Sequence, residues 1–109
     1  MMEEPLFRWS AAERNALLSQ LPVQLDACVV PPHLHGGLIR YIVDGILPGS
    51  FLQACLCASF PDVARRGDES SLIGLPGIVA FLEHYAPRDC WGSREKVLAW
   101  TATPDRLEI

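Results

Sequence analysis

Apolar residues recur along most of the chain at the three- and four-residue spacing that places them on one side of a helix. The first helix is predicted over residues 11–21. Ser10 and Glu13 form a capping box before it. Pro22 is expected to end it, because proline disfavours helical geometry in the residue before it. Residues 1–9 are weakly patterned, although Leu6, Phe7 and Trp9 are candidates for docking on the body.

The second predicted helix has one apolar face, made by Leu34, Leu38, Tyr41 and Ile42. Gly36 and Gly37 fall early in this pattern and weaken it, so the helix starts either near Pro32 or at Gly37. Gly45 is expected to be its C-terminal cap in the left-handed conformation. The segment 23–32 before it is predicted to be a connector.

The third predicted helix, over residues 51–58, is apolar almost all round and is interrupted only by Gln53. A helix without a polar face belongs in the centre of a domain. Ser50 is the expected N-cap, since its hydroxyl can accept a hydrogen bond from a backbone N–H of the first turn. We therefore expect this helix to form the core of the fold.

The second half of the chain predicts shorter elements. A turn covers residues 62–66, and a helix covers 76–84 with Leu72, Leu75, Ile78, Val79 and Leu82 on its buried side. Pro76-Gly77 leaves two alternatives, a helix that starts near Pro76 or one that starts at Ser71 and is kinked. Ser93 caps a last helix from Arg94 to residue 101 or 102, and residues 105–109 are expected to fray.

Alternating strand patterns are absent, so the predicted class is all-α: a compact single domain of about five short helices with an apolar central helix. Residues 1–32 form an N-terminal extension with one helix, either packed on the body or partly mobile. Residues 33–109 form the helical core domain. At 109 residues the chain is long enough for one hydrophobic core.

Charge narrows the range of partners. The formal net charge is −4, and the only adjacent basic pair, Arg65-Arg66, is flanked by acidic residues. General nucleic-acid binding needs clustered cations, so we do not expect it. The longest uncharged stretch is too short to span a membrane, and no secretory signal follows the N-terminus. We expect a cytoplasmic protein without a membrane contact.

The cysteines (Cys28, Cys55, Cys57 and Cys90) are interpreted as buried structural thiols. Cys55 and Cys57 are two residues apart, which places them on different sides of a helix and disfavours a shared metal. His33 and His35 offer two further ligands, but no spacing relates them to the cysteines. We therefore predict no metal site, no cofactor and no catalytic residue.

Five residues are the candidates for binding: Arg40, Ser50, His84, Trp91 and Ser93. Ser50 and Ser93 begin helices, whose backbone N–H groups can face an anion or simply be capped. Trp91, in a loop, either fills the core or anchors a partner. Arg40 points away from the apolar face, towards solvent or an interface. His84 ends a helix near no predicted nucleophile, which favours a structural role over general base catalysis.

Two stretches carry a family resemblance. They are Pro48-Gly49-Ser50-Phe51-Leu52, preceded by Arg40-Tyr41-Ile42, and Cys90-Trp91-Gly92-Ser93. This pattern resembles that of small, uncharacterised proteins encoded by bacteriophages and prophages, and it covers roughly residues 36–102. The sequence departs from it at residues 72–77. The resemblance implies a phage-related origin and a helical fold, and it transfers no catalytic residue.

These observations favour a non-enzymatic phage or prophage accessory protein that acts by binding a host or defence protein. Charge complementarity between an acidic protein and basic partner surfaces supports this hypothesis. The alternative is an oligomeric protein that sequesters a small anion or nucleotide at capped helix termini. A homo-oligomer is compatible with either hypothesis, and a small enzyme would rest on His84 and the cysteines alone.

Overall fold

The computed structural model describes residues 8–109, and this part of the chain contains helices and no strand. The α-helices are α1 (Ala11–Ala27), α2 (Pro32–Asp44), α3 (Ser50–Leu56), α4 (Phe60–Arg66), α5 (Glu69–Ile73), α6 (Leu75–His84) and α7 (Arg94–Trp100). Two 3₁₀ turns follow α6 and α7, at Arg88–Cys90 and Pro104–Arg106. The all-α prediction is confirmed, with seven α-helices in the described part rather than about five. Leu6 and Phe7 lie outside the described residues.

Helix α1 does not end where the sequence predicted. The capping box is present, with the Ser10 hydroxyl accepting from the Glu13 N–H at 3.1 Å. The helix then continues through Pro22 to Ala27. Pro22 costs about 3 kcal/mol inside a helix. Burial of a leucine stabilises by about 1.5–3 kcal/mol, and both Leu21 and Leu25 are buried. Leu25, which lies beyond the proline, reaches the core only because the helix continues.

Helix α2 starts at Pro32 and ends at Asp44. Gly45, with a φ of 70°, is its C-cap in the predicted left-handed conformation. Tyr41, in the last turn of this helix, is fully buried. The Tyr41 hydroxyl donates to the Cys90 carbonyl at 2.7 Å, and the Trp100 indole N–H donates to the Tyr41 carbonyl at 3.0 Å. These bonds attach the C-terminal third of the chain to the last turn of α2.

Helix α3 is the predicted central helix. Its residues Phe51 to Leu56 are all buried. Its N-cap is Gly49, with no side-chain cap, so the prediction that Ser50 caps it is wrong by one position. The one polar residue in its interior, Gln53, donates to the Pro48 carbonyl at 2.8 Å and accepts from the Glu108 N–H at 2.8 Å.

The C-terminal residues are held in place, which contradicts the expectation that they fray. Besides the bond from Glu108 to Gln53, the Arg94 guanidinium donates to the Ile109 carbonyl at 2.9 Å. Leu107 and Ile109 also pack against the core. The tail is ordered because a buried amide in α3 needs a donor and the tail provides it.

Helices α5 and α6 settle the two alternatives at Pro76. Pro76 lies in the first turn of α6, where its missing N–H costs nothing, so the helix starts there and is not kinked. Gly74 separates it from α5, whose N-cap Asp68 accepts from the Ser71 N–H at 2.8 Å.

Candidate functional site

A concave surface with several polar groups lies between α2, the turn before α3, and the end of α4 with the start of α5. This cleft has a volume of about 460 Å³. We call it the polar cleft, and its polar lining residues are His33, Arg40, Ser50, Arg66, Asp68 and Ser71.

One wall of the polar cleft is a hydrogen-bonded set of three residues. Asp68 accepts from the Ser71 N–H, and this bond holds the pKa of the Asp68 carboxyl below its ordinary value. The Ser71 hydroxyl lies 3.2 Å from His33 Nε2. Because these groups satisfy one another, this wall is rigid and its carboxylate is already engaged.

The two arginines of the polar cleft are not engaged in this way. Arg40 is exposed and forms no hydrogen bond or ion pair with another described residue; its guanidinium lies against Gly36. Arg66 lies 3.9 Å from a carboxylate oxygen of Asp62 and 3.5 Å from one of Glu108. Arg66 therefore has two ion-pair partners, at distances longer than charge-assisted hydrogen bonds, whereas the N–H donors of Arg40 are available to an anion.

A second candidate surface is apolar. The side chains of α6 and of the end of α5 line an open groove of about 610 Å³, which we call the apolar groove: Leu72, Leu75, Pro76, Val79, Ala80, Glu83 and His84. Val79 is 39% exposed, and Ile73, the neighbour of Leu72 in the chain, is 73% exposed. Contiguous exposed apolar surface of this kind is typical of interaction sites.

The structure distributes the five sequence-derived candidates over four places. Arg40 and Ser50 line the polar cleft, and His84 lies at one end of the apolar groove. Trp91 is half-buried against the core and also borders a smaller pocket. Ser93 caps α7, with its hydroxyl accepting from the Lys96 N–H at 3.2 Å, as predicted.

The sequence did not identify Arg66 or His33 as partners of Arg40, nor the exposure of α6. Leu72 and Val79 were assigned to the buried side of the helix, and both are exposed. The buried side is made by Ile78, Phe81 and Leu82. An available indication was that α6 carries more apolar residues than one buried face requires.

Three of the four cysteine thiols are shielded from solvent. Cys55, Cys57 and Cys90 are buried and Cys28 is half-buried, and none is in a disulfide. Burial raises the pKa of Cys55 and of Cys90 to about 12. It also raises the pKa of Cys57. At neutral pH these three are thiols rather than nucleophilic thiolates.

Residues 8–109 contain neither a cluster of metal ligands nor a membrane-spanning helix. Among them, no three His, Cys, Asp or Glu side chains are grouped as metal ligands. No helix in the same range combines the length and the apolar character needed to cross a membrane.

No protein-family model, curated protein or solved structure matches this chain. The resemblance to small phage-encoded proteins therefore stays a prediction. The function has to be argued from the two surfaces.

Proposed function

We propose that this protein is a non-enzymatic accessory protein of a phage or prophage that binds a host or defence protein in the bacterial cytosol. The apolar groove is its proposed binding surface. The observation that carries the proposal is the exposure of Leu72 and Val79, which both line this groove on α5 and α6. Burying such a surface against a partner releases water from apolar groups and so favours association.

The charges around the apolar groove indicate what kind of partner it fits. Glu83 lines the groove, and residues 67–87, which include every lining residue of the groove, contain no lysine or arginine. A complementary segment would have apolar side chains flanked by lysine or arginine, because opposite charges at the rim speed association and disfavour other partners. The net charge of −4 also attracts a basic partner at longer range.

A binding role rather than catalysis is supported by the state of the reactive groups. Three thiols are buried and protonated at neutral pH. His84 is exposed at the end of α6 and forms no hydrogen bond with another described residue. General base catalysis needs a base within hydrogen-bonding reach of the proton that it removes, and the groove offers His84 no nucleophile.

The proposal is tested by capture from a bacterial lysate at low salt, with the immobilised protein and two valine variants. Val79→Asp places a charge in the apolar groove. Val23→Asp makes the same change at a 68% exposed position on α1, outside the groove. We expect one protein to be retained by the wild type and by Val23→Asp and to be lost with Val79→Asp.

Circular dichroism of both variants serves as the control that each is folded. Capture that is equal for all three proteins, or that is absent for the wild type, would contradict the proposal. Retention should also weaken as salt is raised, since the rim charges are exposed and screened.

The alternative function, an oligomeric protein that sequesters a small anion, is favoured by a different observation. Arg40 and Arg66 both line the polar cleft without a hydrogen bond to another described residue. The helix termini themselves do not support it: α3 and α7 are short, and the Ser93 hydroxyl is already used as a cap. This alternative therefore depends on the arginines.

A further inference from the structure

We infer that the polar cleft is a binding site for a small organic anion, a carboxylate or phosphate monoester attached to an apolar group. It shares no lining residue with the apolar groove, so this site and the proposed partner surface are independent. The volume of about 460 Å³ lies within the range of small-molecule sites in proteins.

The cations of the polar cleft come from two helices, Arg40 from α2 and Arg66 from α4. A guanidinium presents a planar fork of N–H donors that matches the two oxygens of a carboxylate or phosphate. The single carboxylate of the cleft, Asp68, already accepts from the Ser71 N–H and from the Ser70 hydroxyl. Asp68 stays ionised, and Arg66 is in ion-pair range of Asp62 and Glu108, so Arg40, which has no described carboxylate partner, is the cation open to an anion in this cleft.

The guanidinium of Arg40 lies against Gly36. A Cβ at residue 36 would lie 2.9 Å from one terminal nitrogen of Arg40, which is closer than atoms in such contacts approach. The absence of a side chain therefore lets the guanidinium lie on the surface of α2, one turn from its own backbone.

An apolar floor makes the polar cleft selective for more than charge. Leu34, Phe51 and Leu52 line it and are 9%, 8% and 4% exposed, so each presents only a small part of its side chain. An apolar group on the ligand can cover these side chains while the anion contacts the arginines. A free inorganic anion would contact the arginines but would not cover the apolar side chains.

The test is a set of NMR titrations that follow the backbone N–H signals of the cleft at fixed ionic strength. The probes are benzoate and phenyl phosphate, with neutral benzamide and inorganic phosphate for comparison. We expect benzoate and phenyl phosphate to shift the signals of Gly37, Gly49 and Ser50. Arg40→Gln should weaken binding about tenfold, since a charge-assisted hydrogen bond is lost.

Arg88→Gln is the matched control, because Arg88 is exposed, lies outside the polar cleft and forms no side-chain bond with another described residue. It should leave the affinity unchanged. Equal binding of benzamide and benzoate, of inorganic and phenyl phosphate, or of Arg40→Gln and wild type would each overturn the inference, as would absence of binding at millimolar ligand.

Discussion

Gly74 and Gly77 are the residues at which the α5–α6 segment approaches the turn after α1. A Cβ at Gly74 would collide with the ring of Pro31, and one at Gly77 would collide with the Cys28 carbonyl oxygen and lie 2.9 Å from that of Val29. Backbone carbonyls cannot rotate away as a side chain can. The Pro76-Gly77 pair, which looked like a conflict inside a helix, combines a first-turn proline with a glycine required by close packing.

Gly77→Ala should therefore lower the free energy of unfolding by about 1–3 kcal/mol, the usual cost of overpacking. Alanine is the better helix former, so a loss of stability would be steric in origin. Urea unfolding followed by circular dichroism measures it. Gly49→Ala is the control, because a Cβ there meets no atom within 4 Å. It should change stability by less than about 1 kcal/mol, and equal effects of the two substitutions would contradict this account.

At the scale of the helix, the features that the sequence predicted correctly are those set by neighbouring residues. The capping box at Ser10, the left-handed Gly45 and the Ser93 cap all formed. The end of α1 was predicted wrongly because Pro22 is a local stop, whereas the burial of Leu25 depends on helices that are distant in the sequence. Local propensity is a weak guide wherever tertiary packing opposes it.

Leucine-to-alanine substitutions in α1 measure how strongly this helix is bound to the rest of the protein. Leu25 is fully buried and Leu18 is 39% exposed on the same helix. We expect Leu25→Ala to reduce the free energy of unfolding by about 2–5 kcal/mol, the cost of a cavity in a core. Leu18→Ala should cost less than about 1 kcal/mol. Small and equal losses in chemical denaturation would mean that α1 contributes little to the common core.

At the scale of the whole molecule, the candidate surfaces were harder to predict than the fold. Arg40 and Arg66 come together only because α3 and α4 return the chain to α2, and no spacing in the sequence encodes that. The apolar groove could not be predicted for a different reason. Hydrophobic periodicity indicates which residues prefer burial, but it does not say which of two apolar sides of α6 meets the core. The sequence indicated Arg40, Ser50 and His84 as single candidate residues, but it did not indicate which residues line the same surfaces.

The buried thiols predict how the stability of the whole molecule responds to pH. The pKa of Cys55 and of Cys90 is raised to about 12, and burial also raises the pKa of Cys57 and Tyr41. Below the ordinary thiol pKa of 9.0, folded and unfolded chains hold the same protons on these groups, and stability is unaffected. Above it the unfolded chain loses protons that the folded protein keeps, so stability falls as pH rises from 9 towards 12.

The slope of that fall can be assigned to individual residues. The thiols of Cys55 and Cys90 should each lower the free energy of unfolding by about 1.4 kcal/mol per pH unit in this window. Urea unfolding under reducing conditions between pH 8 and pH 11 gives the slope for the wild type and for Cys90→Ala. The variant can be less stable at every pH, because it lacks a buried side chain. Its slope should nevertheless be shallower by the contribution of one thiol, since removing Cys90 removes one proton from the difference between the two states. Identical slopes, or a wild-type stability that does not change over this range, would show that these thiols ionise in the folded protein and are not shielded by the core.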